Sequence, residues 1–158
     1  MIKPTWIVVL VAALAMPAIS FASAPIAIRI EMSTANIITG AAVPLKVIVL
    51  NVSNKPVNLP WPKYLSQFLT CESSIVNGGP VSSFRHGGLS LGHGKYPGGF
   101  IEPGKESIME VEHTFPVEGR QKLKCILETS REGTLWWSFW EGRVESKPIR
   151  VKVQKGGG

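Results

Sequence analysis

The sequence predicts an all-β protein, a β-sandwich of seven to eight short antiparallel strands. Segments in which apolar and polar residues alternate recur along the chain, and Gly, Pro and Asn turn signals separate them. The clearest segment runs from Arg120 to Glu128, where Leu123, Cys125 and Leu127 share one face. No stretch of the mature sequence has the apolar period of a long helix. This combination indicates two packed sheets around one core.

The strands follow one another at short intervals between turns such as Thr39-Gly40, Asn77-Gly78 and Glu118-Gly119. Residues 62–69 fit either a helical turn or the opening of a strand, and both alternatives stay open. The predicted strands are Pro25–Met32, Pro44–Val52, Val57–Leu59, Thr70–Val76, Lys105–Phe115, Arg120–Glu128, the aromatic run Leu135–Trp140, and Lys147–Val153.

The strand from Pro44 to Val52 is apolar on both faces. Leu45, Val47 and Val49 alternate with Ile48 and Leu50. We therefore expect this strand to be central in its sheet or to lie under a covering loop.

The two cysteines of the chain, Cys71 and Cys125, lie on inward-facing rows of two strands. Two cysteines in an exported chain usually pair, so we expect one disulfide between them. The alternative is two buried free thiols.

Residues 1–24 have the layout of a secretory signal peptide. Lys3 precedes an uninterrupted apolar run from Trp6 to Met16, and small residues follow up to Ala24. Cleavage after Ala22 is an alternative, because Pro25 would otherwise follow the cut. An uncleaved anchor is a further alternative, although the run is short for a membrane span. We expect a secreted or periplasmic protein with no stable membrane span, one domain over 25–154 and a disordered tail over 155–158.

Composition narrows the range of functions. The formal net charge is +6, but the basic residues are scattered or alternate with apolar ones, as on a solvated strand face, so nucleic acid is not the expected partner. All acidic residues are glutamate. The absence of aspartate argues against calcium loops and against many hydrolase triads.

The order of turns resembles that of bacterial secreted immunoglobulin-like domains. These often carry an early N-x-S-x-x-P-V turn, here Asn51 to Val57, then a P-G turn, a Trp-rich segment and a final S-x-P-I-x-V-x-V strand, here Ser146 to Val153. The likeness covers most of the mature chain. It implies an immunoglobulin-like β-sandwich and export, and it implies no activity.

The aromatic run contains Trp136, Trp137 and Trp140. In a strand, Trp136 and Trp140 point to one face and Trp137 to the other, so at least one of them should stay accessible to solvent. Such a residue would suit a protein partner or a sugar ring. The alternative is a Trp cluster, joined by Trp61, that caps the end of the core.

A long glycine-rich loop is predicted over residues 77–104, which hold nine of the sixteen glycines. A loop of this length in a compact domain is often functional. It offers four candidate binding residues: Arg85, His86, His93 and Tyr96.

These residues predict neither a metal site nor catalysis. The spacing of His86 and His93, even with His113 as a third donor, matches no strong metal pattern. Nothing pairs a Ser or Cys nucleophile with a positioned His and acid. We therefore expect no cofactor, no metal and no catalytic residue.

The sequence favours an exported, non-catalytic binding module that recognises a protein partner at the cell envelope. One alternative is a carbohydrate-binding module that uses exposed tryptophans. A further alternative is a protease inhibitor similar to the chagasin-like inhibitors, although their N-P-T-T-G loop motif is absent.

Overall fold

The computed structural model describes residues 24–34, 37–85, 98–129 and 139–156. Strands dominate these residues, together with one short helix and one 3-10 turn. In chain order they are β1 (Ile26–Met32), β2 (Ile37–Ile38), β3 (Ala42–Asn51), β4 (Val57–Pro60), α1 (Pro62–Leu65), a 3-10 turn (Ser66–Phe68), β5 (Leu69–Ile75), β6 (Pro80–Arg85), β7 (Gly98–Ile101), β8 (Glu106–Thr114), β9 (Gly119–Thr129), β10 (Gly142–Glu145) and β11 (Ile149–Gln154).

Two sheets and one small ribbon make up the fold. Sheet one has the order β1-β3-β8, and sheet two has the order β2-β11-β9-β5-β6, with β10 also paired to β9. Strands β4 and β7 pair only with each other within the described residues. The all-β, immunoglobulin-like sandwich predicted from the sequence is confirmed.

The core lies between the inward rows of the two sheets. Strand β3 runs between β1 and β8, which confirms the central position predicted from its two apolar faces. Its outer-face residue Ile48 is buried as well, beside the Arg29 to Glu106 ion pair that links the two flanking strands. The inward rows include Ile26, Ile28, Ile30, Leu45, Val47, Val49, Leu69, Met109, Leu123, Leu127 and Val151.

The predicted disulfide joins Cys71 to Cys125, which are opposite residues on the neighbouring strands β5 and β9. The N–H of Cys125 donates to the Ser146 hydroxyl at 3.0 Å, and its carbonyl accepts from the Ser146 N–H at 2.9 Å. The N–H and C=O groups of Cys125 therefore point away from β5. In an antiparallel ladder such non-hydrogen-bonded pairs have the closest Cα atoms, and here the two Cα atoms are 4.1 Å apart.

The turn after β3 is organised by the buried side chain of Asn51. Its amide donates to the carbonyls of Lys55 and Ile101 at 2.8 and 2.7 Å. Its carbonyl oxygen accepts from the N–H of Ser53 at 2.9 Å. One side chain thus ties the predicted Ser53 to Pro56 turn to the end of β7.

Parts of the predicted long loop are strands. Within 77–104, Pro80–Arg85 forms β6 against β5, and Gly98–Ile101 forms β7 against β4. The many glycines hid the strand pattern of both segments in the sequence. Both segments are strands because they pair with β4 and β5, which lie elsewhere in the chain. The Ser73 and Ser82 hydroxyls, for example, lie 2.6 Å apart between β5 and β6. Only 86–97 of the predicted loop lies outside the described residues.

Three further segments differ from the prediction or complete it. Residues 62–69 are helical from Pro62 to Phe68, which settles the alternatives left open. Strands β2 and β10 were not predicted, and they raise the number of strands above seven to eight. The pairing of β2 with β11 is parallel, so the antiparallel prediction is wrong for these two residue pairs.

Candidate functional site

Several chain segments border one another at one end of the sandwich. Arg85 closes β6 opposite Thr70, and Thr129 closes β9 opposite Gly142. The hydroxyl of Thr129 donates to the Trp140 carbonyl at 2.5 Å. The N–H of Trp140 donates to the Asn58 carbonyl at 2.8 Å, which attaches this segment to the β4–β7 ribbon.

We call this end the loop pole, defined by Trp61, Arg85, Gly98, Thr129 and Phe139. The predicted glycine-rich segment and the predicted aromatic run therefore both border the loop pole. Sequence reasoning named these two segments as candidates separately, and the fold brings their flanking residues to the same end.

Phe139 closes the core at the loop pole and is buried. Its ring lies directly against Gly98, where a β-carbon would sit 2.6 Å from the Leu59 carbonyl oxygen and closer still to the ring. A glycine is therefore required at position 98 for this packing. Trp140 is half-buried against the core, and its ring covers Gly142.

An aromatic cleft lies on the β4–β7 ribbon beside the loop pole. It has a volume of about 310 Å³, and Trp61 and Phe100 line it. Trp61 is 51% exposed and Phe100 is 68% exposed. The indole nitrogen of Trp61 lies over Gly99, where a β-carbon would be 3.5 Å away.

The rim of the aromatic cleft is rigid and charged. Trp61 stands between Pro60 and Pro62, and Pro62 is the first residue of α1. Proline fixes φ and restricts the residue before it, so the backbone that carries Trp61 has few alternatives. Lys105 and Glu106 lie on the wall of the same cleft.

The sequence-predicted site residues have different outcomes. Arg85 is the last residue of β6, and its side chain is not among those the structure describes. Trp140 is half-buried and held by the hydrogen bonds given above. His86, His93, Tyr96, Trp136 and Trp137 lie outside the described residues, so their roles stay predictions.

Sequence reasoning missed Phe100 and named Trp61 only as a possible member of a Trp cluster. Trp61 is half-exposed on the ribbon, and the alternative of a Trp cluster stays a prediction because Trp136 and Trp137 lie outside the described residues. Phe100 stands among glycines and carries no alternating pattern. Its strand partner is Asn58, and the cleft that it lines together with Trp61 exists only in the folded chain.

Two basic residues on the outer face of sheet two, Lys124 and Arg143, form ion pairs with glutamates. Lys124 lies 3.5 Å from Glu72 and 3.3 Å from Glu145. Arg143 lies 2.7 Å from Glu145 and 3.4 Å from Glu128. The hydrogen bond from Arg143, followed by that from Lys124, holds the pKa of Glu145 below its ordinary value. The part of this face formed by β5, β9 and β10 is therefore solvated and charge-balanced, whereas Arg120 and Lys122 of β9 lie opposite Lys152 and Arg150 of β11.

His113, considered above as a third metal donor, points into the core. It is 1% exposed, and its ring packs edge-to-face on Phe115 at 4.8 Å between ring centroids. Among the residues that the structure describes, no three His, Cys, Asp or Glu side chains lie close enough to hold a metal ion. The described part of the chain also contains no helix that is long and apolar enough to cross a membrane.

Comparison with known proteins adds information about the fold. No family model and no curated protein matches this sequence. The crystal structure of Spo0M, a sporulation control protein from Bacillus subtilis, is similar over 82% of this chain and 49% of that chain, with 11% identity and a TM-score of 0.50. This chain therefore spans about half the length of Spo0M.

The CARDB domain of a Pyrococcus furiosus protein is similar too. Its crystal structure, in complex with di-metal ions, is covered to 87% at 12% identity, and its solution NMR structure to 94% at 13% identity. Both matches cover 82% of this chain with a TM-score of 0.40. At such identities these likenesses concern the fold alone.

Proposed function

We propose that this chain is an exported, non-catalytic module that binds a protein partner at the cell envelope through the aromatic cleft and the loop pole. The observation that carries the proposal is the exposure of two aromatic side chains, Trp61 and Phe100, that line one cleft on the β4–β7 ribbon. The small domain otherwise buries most of its large apolar side chains in one core.

The chemistry of the cleft favours a protein partner. Tryptophan is enriched among the residues that dominate binding energy in protein interfaces, and it loses little conformational entropy on binding when its backbone is already fixed. Trp61 meets this condition between its two prolines. The apolar centre is bordered by Glu102, Lys105 and Glu106, which matches the apolar core and polar rim of a typical interface.

Export rests on two independent features of the chain. Residues 1–24 have the pattern of a signal peptide. The Cys71–Cys125 disulfide suits an oxidising compartment outside the cytoplasm. The periplasm or the cell surface is therefore the proposed location.

The residues at the loop pole would extend the same surface. Arg85, His86, His93 and Tyr96 belong to or border one undescribed segment, and Trp136 and Trp137 belong to the other. The residues that flank both segments lie at the loop pole, and we propose that the segments contribute to the same binding surface.

The carbohydrate alternative depends on the same exposed rings, since sugar rings stack on Trp and Phe faces. A glycan array separates the two functions. A protein-binding module gives no saturable sugar signal, whereas a sugar platform gives one that disappears in Trp61→Ala.

Site-directed photo-crosslinking in intact cells tests the protein-binding proposal. A benzophenone amino acid replaces Phe100 in one variant and Val117 in a matched control. Val117 is exposed but lies before the start of β9, at the end of the sandwich opposite the loop pole. The proposal expects one discrete crosslinked product from position 100 and none of that size from position 117.

The second arm adds Trp61→Ala to the Phe100 crosslinking variant. Loss of the product with an unchanged melting temperature supports binding through the cleft, because removal of a half-exposed side chain leaves no core cavity. A product of equal yield at both positions, or one that persists without Trp61, contradicts the proposal.

A further inference from the structure

Strand β1 forms one edge of sheet one. Within the described residues, β3 is the only strand that pairs with it. The N–H of Val52 donates to the carbonyl of Pro25 at 2.9 Å, so these two residues form a hydrogen-bonded pair. Bonded and non-bonded pairs alternate in an antiparallel ladder. The N–H and C=O groups of the even-numbered residues, Ile26 to Met32, therefore point to the unpaired edge.

An apolar groove runs along this edge. It has a volume of about 510 Å³ and lies between β1 and the segment of sheet two that contains Val144 and Ile149. Ile26, Ile28 and Ile30 line its other side. Exposed strand edges are ready templates for another strand, and an adjoining apolar groove adds side-chain burial to the backbone hydrogen bonds.

The sequence of β1 is complementary to itself. Arg29 and Glu31 lie on either side of Ile30 and point outward, with side chains 58% and 49% exposed. Within one chain they lie 3.2 Å apart, and Arg29 also lies 3.5 Å from Glu106, so pairing with a copy would extend these ion pairs across the edge. If a second β1 pairs antiparallel about Ile30, then Ile30 lies opposite Ile30 of the copy. In that register Arg29 lies opposite Glu31 of the copy, and Glu31 opposite its Arg29.

The backbone has the parity that this register requires. The backbone N–H and C=O of Ile30 point to the edge, so the central Ile30–Ile30 pair is hydrogen-bonded. The Arg29–Glu31 pairs on either side of it are then non-hydrogen-bonded pairs. Side chains are closest in non-bonded pairs, where opposite charges across a strand pair are stabilising and like charges are destabilising. Both ion pairs form at once because a two-fold axis repeats every contact.

We propose that two copies of this chain associate through their β1 edges, with antiparallel pairing centred on Ile30. The two copies of sheet one then form one continuous sheet of six strands across the two-fold axis. This surface is separate from the aromatic cleft, so a dimer would present two clefts to partners. The inference does not depend on the proposed binding function.

A charge-exchange experiment tests this pairing on the chain expressed from its full sequence and purified after export. Arg29→Glu makes both charged outward positions of β1 acidic, and Glu31→Arg makes both basic. Each variant alone places like charges at both cross-strand positions, whereas an equimolar mixture places opposite charges at both. Sedimentation velocity over a concentration series at low salt measures the dimer, and circular dichroism melts confirm that each variant folds.

The parent is expected to dimerise reversibly, and each variant alone is expected to dimerise about tenfold more weakly. The mixture should regain the affinity of the parent as a heterodimer. A parent that stays monomeric up to about 1 mM overturns the proposal and leaves the edge to another occupant, such as an extended peptide. Dimerisation that is equal in the parent and both variants overturns it as well, because it would assign the contact to another surface.

Cysteine crosslinking gives a second readout. A mixture of Arg29→Cys and Glu31→Cys places thiols at cross-strand positions of the kind that Cys71 and Cys125 occupy in β5 and β9. The proposal expects a disulfide-linked heterodimer in the mixture at higher yield than in either variant alone. Equal yields in all three samples contradict the register.

Discussion

Asn51 holds the corner between β3 and β4, and its replacement by alanine is expected to destabilise the protein substantially. The side chain is 1% exposed. Its amide donates to the carbonyls of Lys55 and Ile101, and its oxygen accepts from the Ser53 N–H. At about 1 kcal/mol net for each hydrogen bond, and with water able to reach the exposed Lys55, the expected loss is about 2–3 kcal/mol.

Urea denaturation followed by tryptophan fluorescence measures this loss, with linear extrapolation to zero denaturant. Asn54→Ala is the matched control, because Asn54 belongs to the same turn and is exposed. It should stay within about 0.5 kcal/mol of the parent. If Asn51→Ala unfolds at the same urea concentration as Asn54→Ala, the side-chain hydrogen bonds do not hold this corner and the reasoning is refuted.

Asn51→Asp separates hydrogen bonding from shape. The carboxylate keeps the acceptor for Ser53 but faces the carbonyls of Lys55 and Ile101 without a donor. Burial against two carbonyls raises the pKa of such a carboxyl group. The variant should therefore be more stable at low pH and lose stability as pH rises through that raised pKa, relative to the parent measured in parallel. A pH-independent difference from the parent would contradict this account.

Three further predictions concern other parts of the fold. Replacement of both cysteines by alanine should lower the free energy of unfolding by about 4 kcal/mol in the chain-entropy model, because the disulfide spans 54 positions. Urea denaturation without reductant measures this loss, and a loss below about 1 kcal/mol would contradict the prediction. Gly98→Ala should cost about 1–3 kcal/mol because its β-carbon would meet the ring of Phe139, whereas Gly79→Ala, with nothing within 4 Å, should be close to neutral in the same assay. The pKa of Glu145 should rise in Arg143→Ala, and an NMR titration checks it. Since the folded pKa is lowered, the contribution of this carboxylate to stability is present above its unfolded pKa and is lost as pH falls through the folded pKa. An unchanged titration of Glu145 in Arg143→Ala would contradict the role of Arg143 in lowering this pKa.

The main sandwich strands were predictable because burial alone determines their pattern. Strands β1, β3, β8 and β9 each place one apolar row against the core, and alternation reveals such rows directly. The disulfide followed from the same rows, because Cys71 and Cys125 both lie on inward faces.

The short strands were not predictable, because they form only by pairing with strands that are distant in sequence. Strand β7 begins with two glycines and forms because β4 pairs with it and Phe139 packs on Gly98. Strand β2 has two residues and depends on the end of β11. No local pattern distinguishes such segments from loop.

The candidate site was predicted only in part. The sequence indicated two of the segments that border the loop pole, but the strand pairings that bring their flanking residues to one end of the sandwich come only from the structure. In the β4–β7 register Phe100 lies opposite Asn58, and Gly99, which the Trp61 ring covers, lies opposite Leu59. No periodic pattern encodes that register. A cleft whose lining residues come from separate segments therefore requires the structure.

Protection of the aromatic cleft in living cells tests the central claim most directly. The parent has no free cysteine among its described residues, and its two cysteines form the disulfide, so Phe100→Cys and Val117→Cys each introduce one reactive thiol. A membrane-impermeant maleimide labels cells with a permeabilised outer envelope and, in parallel, the purified variants. We predict that position 100 is labelled much more slowly in cells than in the purified protein, while position 117 reacts equally in both. Equal labelling of position 100 in cells and in the purified protein would contradict the claim that a partner covers this surface.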